Sequence, residues 1–238
     1  MKKIALIPAR VESKRFYGKL LKKLSGVPII IRTYQSALKT NVFDEVYVVT
    51  DSDQIIDLLK SVNGNYLKSS SHHESGTDRI AEVAVDLEYD IIVNLQGDEP
   101  FINKSSIEKL VNEFKNIEVE MASLMRKFND KEELNNPNNV KVIVDKDNYS
   151  INFSRIPMIS DLKNINIYKH IGVYAFRKKT LIEFSKMKKT MMEKKERIEC
   201  LRYINHGKKI KMVKTDFSGI SIDTPQDLIR AEEYLKKQ

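Results

Sequence analysis

A chain of 238 residues with 41% hydrophobic side chains can bury a sizeable core and suits one α/β domain, or one domain with a small appendage. Its 41 Lys+Arg against 33 Asp+Glu favour anionic partners, but the surplus is spread along the chain without an arginine-rich tail or basic repeat, which speaks against nucleic acid. No apolar run approaches the roughly 18 residues of a membrane span and the N-terminus runs straight into a strand, so no membrane and no secretion are expected. The lone Cys200 excludes an internal disulfide and fits a reducing cytoplasm, and one Cys with four His speaks against a zinc cluster, leaving a hard cation held by carboxylates open.

The predicted elements alternate. Ile4–Ile7 reads as a buried strand, and 28–39 as a helix with proline in its first turn. Glu45–Thr50 is a second strand, followed by a helix from about Ser52 to Ser61 capped by Asp51 or Ser52. Asn63-Gly64 turns into a short strand near Tyr66; a polar loop and a helix near Asp78–Leu87 follow. Residues 90–95 form another buried strand, ending in Gln96-Gly97-Asp98-Glu99-Pro100, and a helix runs from about Ser105 to Phe114. Continuous apolar strands separated by helices predict a mostly parallel sheet covered on both faces. The second half changes character: strands at 121–128, 140–144 and 149–154 are joined by Asn- and Asp-rich turns. A strand at 168–176, helices near 179–187 and 193–206, a strand at 209–213 and a final helix from Pro225 to Leu235, capped by Thr224, complete the pattern. The expected organisation is a single domain, with a nucleotide-sized parallel half over about 1–115 and a part with antiparallel strands over about 116–238.

In open parallel sheets, ligands bind beyond the carboxyl ends of the strands. Here those ends carry Ala9-Arg10, Thr50-Asp51 and Gln96-Gly97-Asp98, which are expected to converge on one crevice. The first loop adds Lys14, Arg15 and Lys19. It is not a P-loop, because Leu20 follows Gly18-Lys19, and no GxGxxG occurs. Arg10, Arg15 and Lys19 can nonetheless neutralise a triphosphate, the arginines as forks and the lysine as a point charge. Asp98, just beyond a buried strand, and Asp223, ahead of a capped helix, suit a hard divalent cation; the competing reading for each is a turn or cap residue. Asp51-Ser52-Asp53 has the DxD form of metal-dependent glycosyltransferases, although helix starts attract Asp in any case. His72-His73 reads as exposed rather than ligating. Glu193, Glu196 and Glu199 fall at i, i+3, i+6, a spacing that places them on one, mostly solvated, helical face.

Taken together, IPARVESKRFYGKLL, VVTD, ESGTDRIAEV, VNLQGDEP, NNVKVIVD, HIGVYAFR, IECLRYINHGKKI and IDTPQDL resemble the bacterial CMP-Kdo synthetases, the 3-deoxy-manno-octulosonate cytidylyltransferases, in order from Lys3 to Leu235. The resemblance implies a glycosyltransferase-A-like α/β nucleotidyltransferase fold, a mixed, mostly parallel central sheet flanked by helices with a smaller antiparallel part. It implies transfer of CMP from CTP to a hydroxyl of the sugar acid Kdo with release of pyrophosphate, for lipopolysaccharide or capsule synthesis, by a Mg²⁺-dependent, cytoplasmic homodimer. Carried over by motif, Arg10, Arg15 and Lys19 handle the triphosphate, Ala9 lies near the base, and Ser75 and Arg79 recognise cytosine. Gln96 lies between nucleotide and sugar acid, Asp98 and Asp223 ligate the metal, and Arg155, His170, Tyr174 and Glu199 bind the acid. Departures from the family pattern cluster on the acceptor side: Cys200 follows Glu199 where an amide is usual, and the stretch after Arg155 is short. A modified ulosonate or another small carboxylate is therefore the alternative acceptor. In the first loop, Tyr17 and Leu20 replace prolines, which predicts a less rigid loop, and Ser221 stands where glycine is usual.

Overall fold

The apolar runs become strands because their side chains have nowhere to go but inward: Ile4, Leu6 and Ile7 on one strand and Ile91, Ile92 and Val93 on another are wholly buried. The computed structural model describes residues 1–12, 16–70, 72–156, 167–217 and 219–237. Two compact units result, Met1–Glu108 with Ser218–Gln238, and Lys109–Phe217. The final helix thus belongs with the first unit, whereas the sequence reading grouped it with the second half.

The first unit holds strands β1 (Lys3–Ala9), β4 (Glu45–Thr50), β5 (Tyr66–Lys68) and β6 (Ile91–Leu95) in the parallel order β6-β1-β4-β5; the short hairpin β2 (Lys23–Leu24) and β3 (Val27–Pro28) stands apart. The chain steps outward from β1 to β4 and β5, then returns to the other side of β1 for β6. The order therefore reverses between β1 and β6, and a crevice opens there at the carboxyl ends. Helices α1 (Ile29–Thr40), α2 (Asp53–Lys60) and α3 (Gly76–Ala84) follow β3, β4 and β5, with α1 and α3 packed on the sheet. Their starts obey local rules: Ser52 caps α2 and Ser75 caps α3 through their hydroxyls, and Thr224 with Asp227 forms a capping box on the C-terminal helix Pro225–Lys236. The chain leaves this unit through α4 (Lys104–Asn112).

The second unit is built on β7 (Met121–Arg126), β8 (Lys141–Val144), β9 (Ser150–Ser154), β10 (Ile167–Arg177) and β11 (Lys211–Lys214), in the order β11-β7-β10-β8-β9. All these pairings are antiparallel except β11 with β7. Three features here differ from the sequence reading. A short helix, α5 (Lys131–Asn135), is capped by Asp130 in a stretch that reads as loop. After α6 (Lys178–Lys186), the expected single helix 193–206 is two, α7 (Met191–Glu196) and α8 (Cys200–Asn205), because Arg197 adopts a left-handed conformation at φ 55°. In consequence Glu193, Glu196 and Glu199 do not form a solvated row: Glu193 is buried against Arg202, Glu196 accepts the Arg155 amide, and Glu199 starts α8.

Candidate active site

At the reversal point of the first unit, the loop after β1 is closed by Gly18, whose φ of 64° needs a residue without a Cβ penalty. Its amide bonds to the Val11 carbonyl and its carbonyl accepts the Leu21 amide, so Lys19 leaves the turn on a short 3₁₀ segment, Lys19–Leu21. Leu20 is buried. A Cβ on Gly97 would lie 3.1 Å from Leu20 Cδ1 and 3.2 Å from the Pro8 carbonyl oxygen, so the loops after β1 and β6 meet only because residue 97 has no side chain. Leucine at position 20 thus gives this part of the loop an apolar anchor.

The Lys19 ammonium donates to Asp98 Oδ2 and, at 2.9 Å, to Asp223 Oδ1. Burial alone would depress its pKa; the two carboxylates outweigh that and hold it above the ordinary lysine value. Both carboxylates are placed by backbone. The Ile222 amide donates to the Asp98 carbonyl at 3.0 Å, and the Asp223 amide donates to the Asp227 carboxylate at 3.1 Å. Thr33 accepts none of this burden but donates its hydroxyl to the Gly97 carbonyl at 2.9 Å, fixing the turn before Asp98. Thr33 and Asp227 escape a search for chemistry-bearing motifs, although the Thr224-x-x-Asp227 spacing is a readable capping signal.

The other nucleotide-side residues divide by what they already hold. Ala9 is buried at the end of β1, and Arg10 beyond it is exposed. Arg79 is buried and donates to Asp51 at 2.8 Å and to Ser69 Oγ at 2.5 Å, tying α3 to the ends of β4 and β5. That ion pair gives Asp51 a structural partner, and Asp53 lies 3.5 Å from Lys68 on the surface. Gln96 leans on Asn94, a buried side chain that the sequence reading passed over and that donates to Thr77 Oγ1 at 3.0 Å. Ser75 accepts the Asp78 amide. Arg15 lies outside the described residues. His73, expected to be exposed, is largely covered and bonds Glu82 at 2.9 Å.

In the second unit, four predicted acceptor residues come together around an irregularity in β10. The register against β7 jumps between Ile171 and Tyr174, and Ser123 Oγ lies 2.8 Å from the Val173 carbonyl and 3.3 Å from that of Ile171. The His170 and Tyr174 rings, on either side of this irregularity, lie 5.5 Å apart between centroids. His170 Nε2 lies 2.9 Å from Ser123 Oγ. Because that hydroxyl points its proton at the Val173 carbonyl, the imidazole donates from Nε2, leaving Nδ1 as an acceptor. Burial holds the His170 pKa down at about 3, so the ring is neutral at pH 7. Burial likewise raises Tyr174 well above the phenol range, reinforced by the neighbouring Cys200 and Glu199 and opposed by Arg155; its hydroxyl hydrogen-bonds the Cys200 thiol. Arg155 directs Nε to the Glu196 carbonyl at 2.9 Å, Nη1 to that of Pro137 at 3.2 Å and Nη2 to that of Arg197 at 3.4 Å.

With a Lys–Asp–Asp constellation on one unit and a His–Tyr–Glu–Arg cluster on the other, comparison with known proteins becomes informative. The cytidylyltransferase family model matches residues 4–210. The 3-deoxy-manno-octulosonate cytidylyltransferase of Christiangramia forsetii is 47% identical over 98% of this chain and 96% of its own, and that of Flavobacterium johnsoniae 46% over 99% of each. The chain belongs to the cytidylyltransferase family. A solved CMP:2-keto-3-deoxy-manno-octonic acid synthetase in complex with CTP superposes with a TM-score of 0.93 at 32% identity, covering 100% of this chain and 99% of that one. A 4-diphosphocytidyl-2C-methyl-D-erythritol synthase from Anaerococcus prevotii, with a TM-score of 0.67 and 21% identity, shares the fold. This cytidylyltransferase is a nucleotidyltransferase of mixed α/β fold, as the motifs imply. The family model ends at residue 210, short of Asp223.

Proposed function

We propose that this cytidylyltransferase moves CMP from CTP to a hydroxyl of 3-deoxy-manno-octulosonate, forming CMP-Kdo and pyrophosphate. The observation that carries this reading is the convergence of Lys19, Asp98 and Asp223 at the carboxyl end of the parallel sheet, in a chain whose relatives from Christiangramia forsetii and Flavobacterium johnsoniae carry that name.

On this reading Asp98 and Asp223 hold Mg²⁺. Two hard carboxylates closing on one cation fit that ion, which usually takes one or two carboxylates and completes its shell with phosphate oxygens and water. Among the described residues no group of three or more His, Cys, Asp or Glu gathers as a metal site. Bound there, the ion would supply charge neutralisation at the α-phosphate and acidify an oxygen ligand. The chain's own groups do the rest. Arg10, Arg15 and Lys19 take the charge that moves onto pyrophosphate, and Arg79, Ser75 and Gln96 set the base and sugar of the nucleotide. His170 Nδ1, neutral and lacking a proton, accepts from an acceptor hydroxyl; Glu199 takes another, and Arg155 faces the acid's carboxylate. Direct attack on the α-phosphorus requires no covalent enzyme intermediate, and Cys200, buried with its pKa raised, is no nucleophile.

A modified ulosonate is the second reading of the acceptor. The observation that favours it is the Cys200 thiol on Tyr174, a small soft group beside the predicted acid-binding residues. The DxD glycosyltransferase reading has less to stand on, since Asp51 is engaged with Arg79. Incubation with CTP, Mg²⁺ and a panel of ulosonic and other small acids, following pyrophosphate, tests the proposal. Release with Kdo at the highest rate is expected; release only with another acid reassigns the acceptor, and none with any acid overturns cytidylyl transfer. A cytoplasmic homodimer completes the reading, and light scattering on the purified protein tests the dimer.

A further inference from the structure

Lys141 carries a feature that cytidylyl transfer, as drawn above, leaves unused. It opens β8 in the second unit with its side chain wholly buried. Its neighbours across the sheet are Ser154 on β9 and Lys169 on β10, so two lysines sit directly opposite each other, an arrangement that destabilises a sheet unless something compensates. Lys169 is compensated by Glu133 at 2.9 Å, which also takes Arg126. Lys141 is not. Its ammonium donates to two backbone carbonyls, Asn136 at 2.8 Å and Arg155 at 2.7 Å. Burial, with the nearby charges of Arg155 and Lys169, keeps its pKa below the ordinary lysine value. Holding a charge there carries a desolvation penalty that these two carbonyl bonds must offset.

The two carbonyls show what the charge accomplishes. Asn136 and Pro137 are adjacent, and while Lys141 pulls on the first, the Arg155 guanidinium donates to the second. Lys141 also grips the carbonyl of Arg155 itself, whose amide and Nε are held by Glu196. One ammonium therefore ties together both walls of the cradle in which Arg155 stands, at the end of β9. We propose that Lys141 is a positioning residue for Arg155, pinning the carbonyls of Asn136 and Arg155 so that the guanidinium is held ready for the carboxylate of the acceptor acid. The inference rests on the reading that Arg155 faces that carboxylate.

Lys141→Met keeps the length and removes the donor. Steady-state kinetics with CTP and Kdo should show the KM for the acid raised about 10-fold or more, the scale of a lost hydrogen bond to a charged group, with the KM for CTP unchanged. Amide exchange followed by mass spectrometry should show the Arg155 amide, bonded to Glu196 in the wild type, exchanging about 10-fold faster or more as that cradle opens locally. Lys141→Gln, which retains one donor, should fall between wild type and Lys141→Met in both measurements. An unchanged KM for the acid in a folded variant overturns the proposal. So do two KM values rising together with a collapsed melting temperature in both variants, which would make Lys141 purely structural. If the wild type releases no pyrophosphate with any acid, cytidylyl transfer fails, while exchange at the Arg155 amide still reports whether Lys141 pins it.

Discussion

On the proposed reading, the chemistry of the first unit turns on a single ammonium. Lys19 stands between Asp98 and Asp223, where its charge offsets two carboxylates that would otherwise repel. A divalent cation must therefore compete with Lys19 for the same oxygens. Lys19→Met removes the competitor, and Mn²⁺ affinity measured by titration calorimetry in the absence of CTP should rise about 10-fold or more, from the loss of a charge-assisted pair. Equal affinity in wild type and variant would show that the ammonium and the metal do not share a place. Asp98→Asn should lower turnover about 100-fold or more while the melting temperature stays within a few degrees, since a neutral amide can still fill the space but cannot balance the cation. Near-normal turnover would remove Asp98 from the site. Lys19, Asp98 and Asp223 stand out in the sequence as charged groups beyond strand ends or ahead of a capped helix, and the fold brings the three together. Thr33, Asn94 and Ser123 are not readable, because each acts on a partner distant in the chain or on a bulge that no local pattern announces.

Elements were legible where one local rule governed them. The strands of the first unit follow from unbroken apolar runs, and Ser52, Ser75 and Thr224 cap the helices they precede. Local rules fall short in the second unit. The run from Glu193 to His206 has no helix breaker, yet α7 stops because Glu193 turns inward to Arg202, which it meets only if the chain bends back at Arg197. That tertiary ion pair, buried on both sides, overrides helical propensity. Arg197 carries the cost of the bend in its positive φ, and Arg197→Gly should raise stability by about 0.5–1 kcal/mol in urea unfolding, because glycine adopts that conformation without penalty. A loss of stability would mean that the arginine side chain contributes more than its backbone costs. The β10 bulge makes the opposite demand on its neighbour. Ser123→Ala should cost about 1–3 kcal/mol, leaving the Val173 carbonyl and His170 without their hydroxyl; a neutral result would show that the bulge holds its own shape.

At the scale of the whole molecule, His170, Glu133 and Lys19 are among the perturbed groups that tie stability to pH. His170 is neutral in the fold down to about pH 3, whereas an unfolded histidine takes a proton near 6.5. Between those values the unfolded chain binds more protons, so stability falls as pH drops below about 6.5. Burial alone would raise the Glu133 pKa, but Arg126, the Asn129 amide and Lys169 overcome it and hold the carboxyl at about 2; its contribution is lost as pH falls from the ordinary 4.5 toward that value. Lys19 acts at the other end. Its folded pKa is raised, so its contribution is complete below the ordinary 10.5 and lost as pH climbs past it. The expected profile has an acid slope that begins at histidine rather than carboxylate pH, and an alkaline loss that begins near pH 9, where an unfolded cysteine ionises and buried Cys200 does not. The slope above pH 4.5 can be assigned because His170 can be replaced by a neutral group of similar reach. His170→Gln should flatten the change in urea midpoint between about pH 6.5 and 4.5, worth up to about 2–3 kcal/mol, and leave the steeper loss below 4.5 in place. The other three histidines are present in both proteins, so the difference between the two profiles isolates the buried ring. Parallel profiles would mean that His170 takes up its proton in the fold at an ordinary pH, and that its place beside Ser123 and Tyr174 does not keep it neutral.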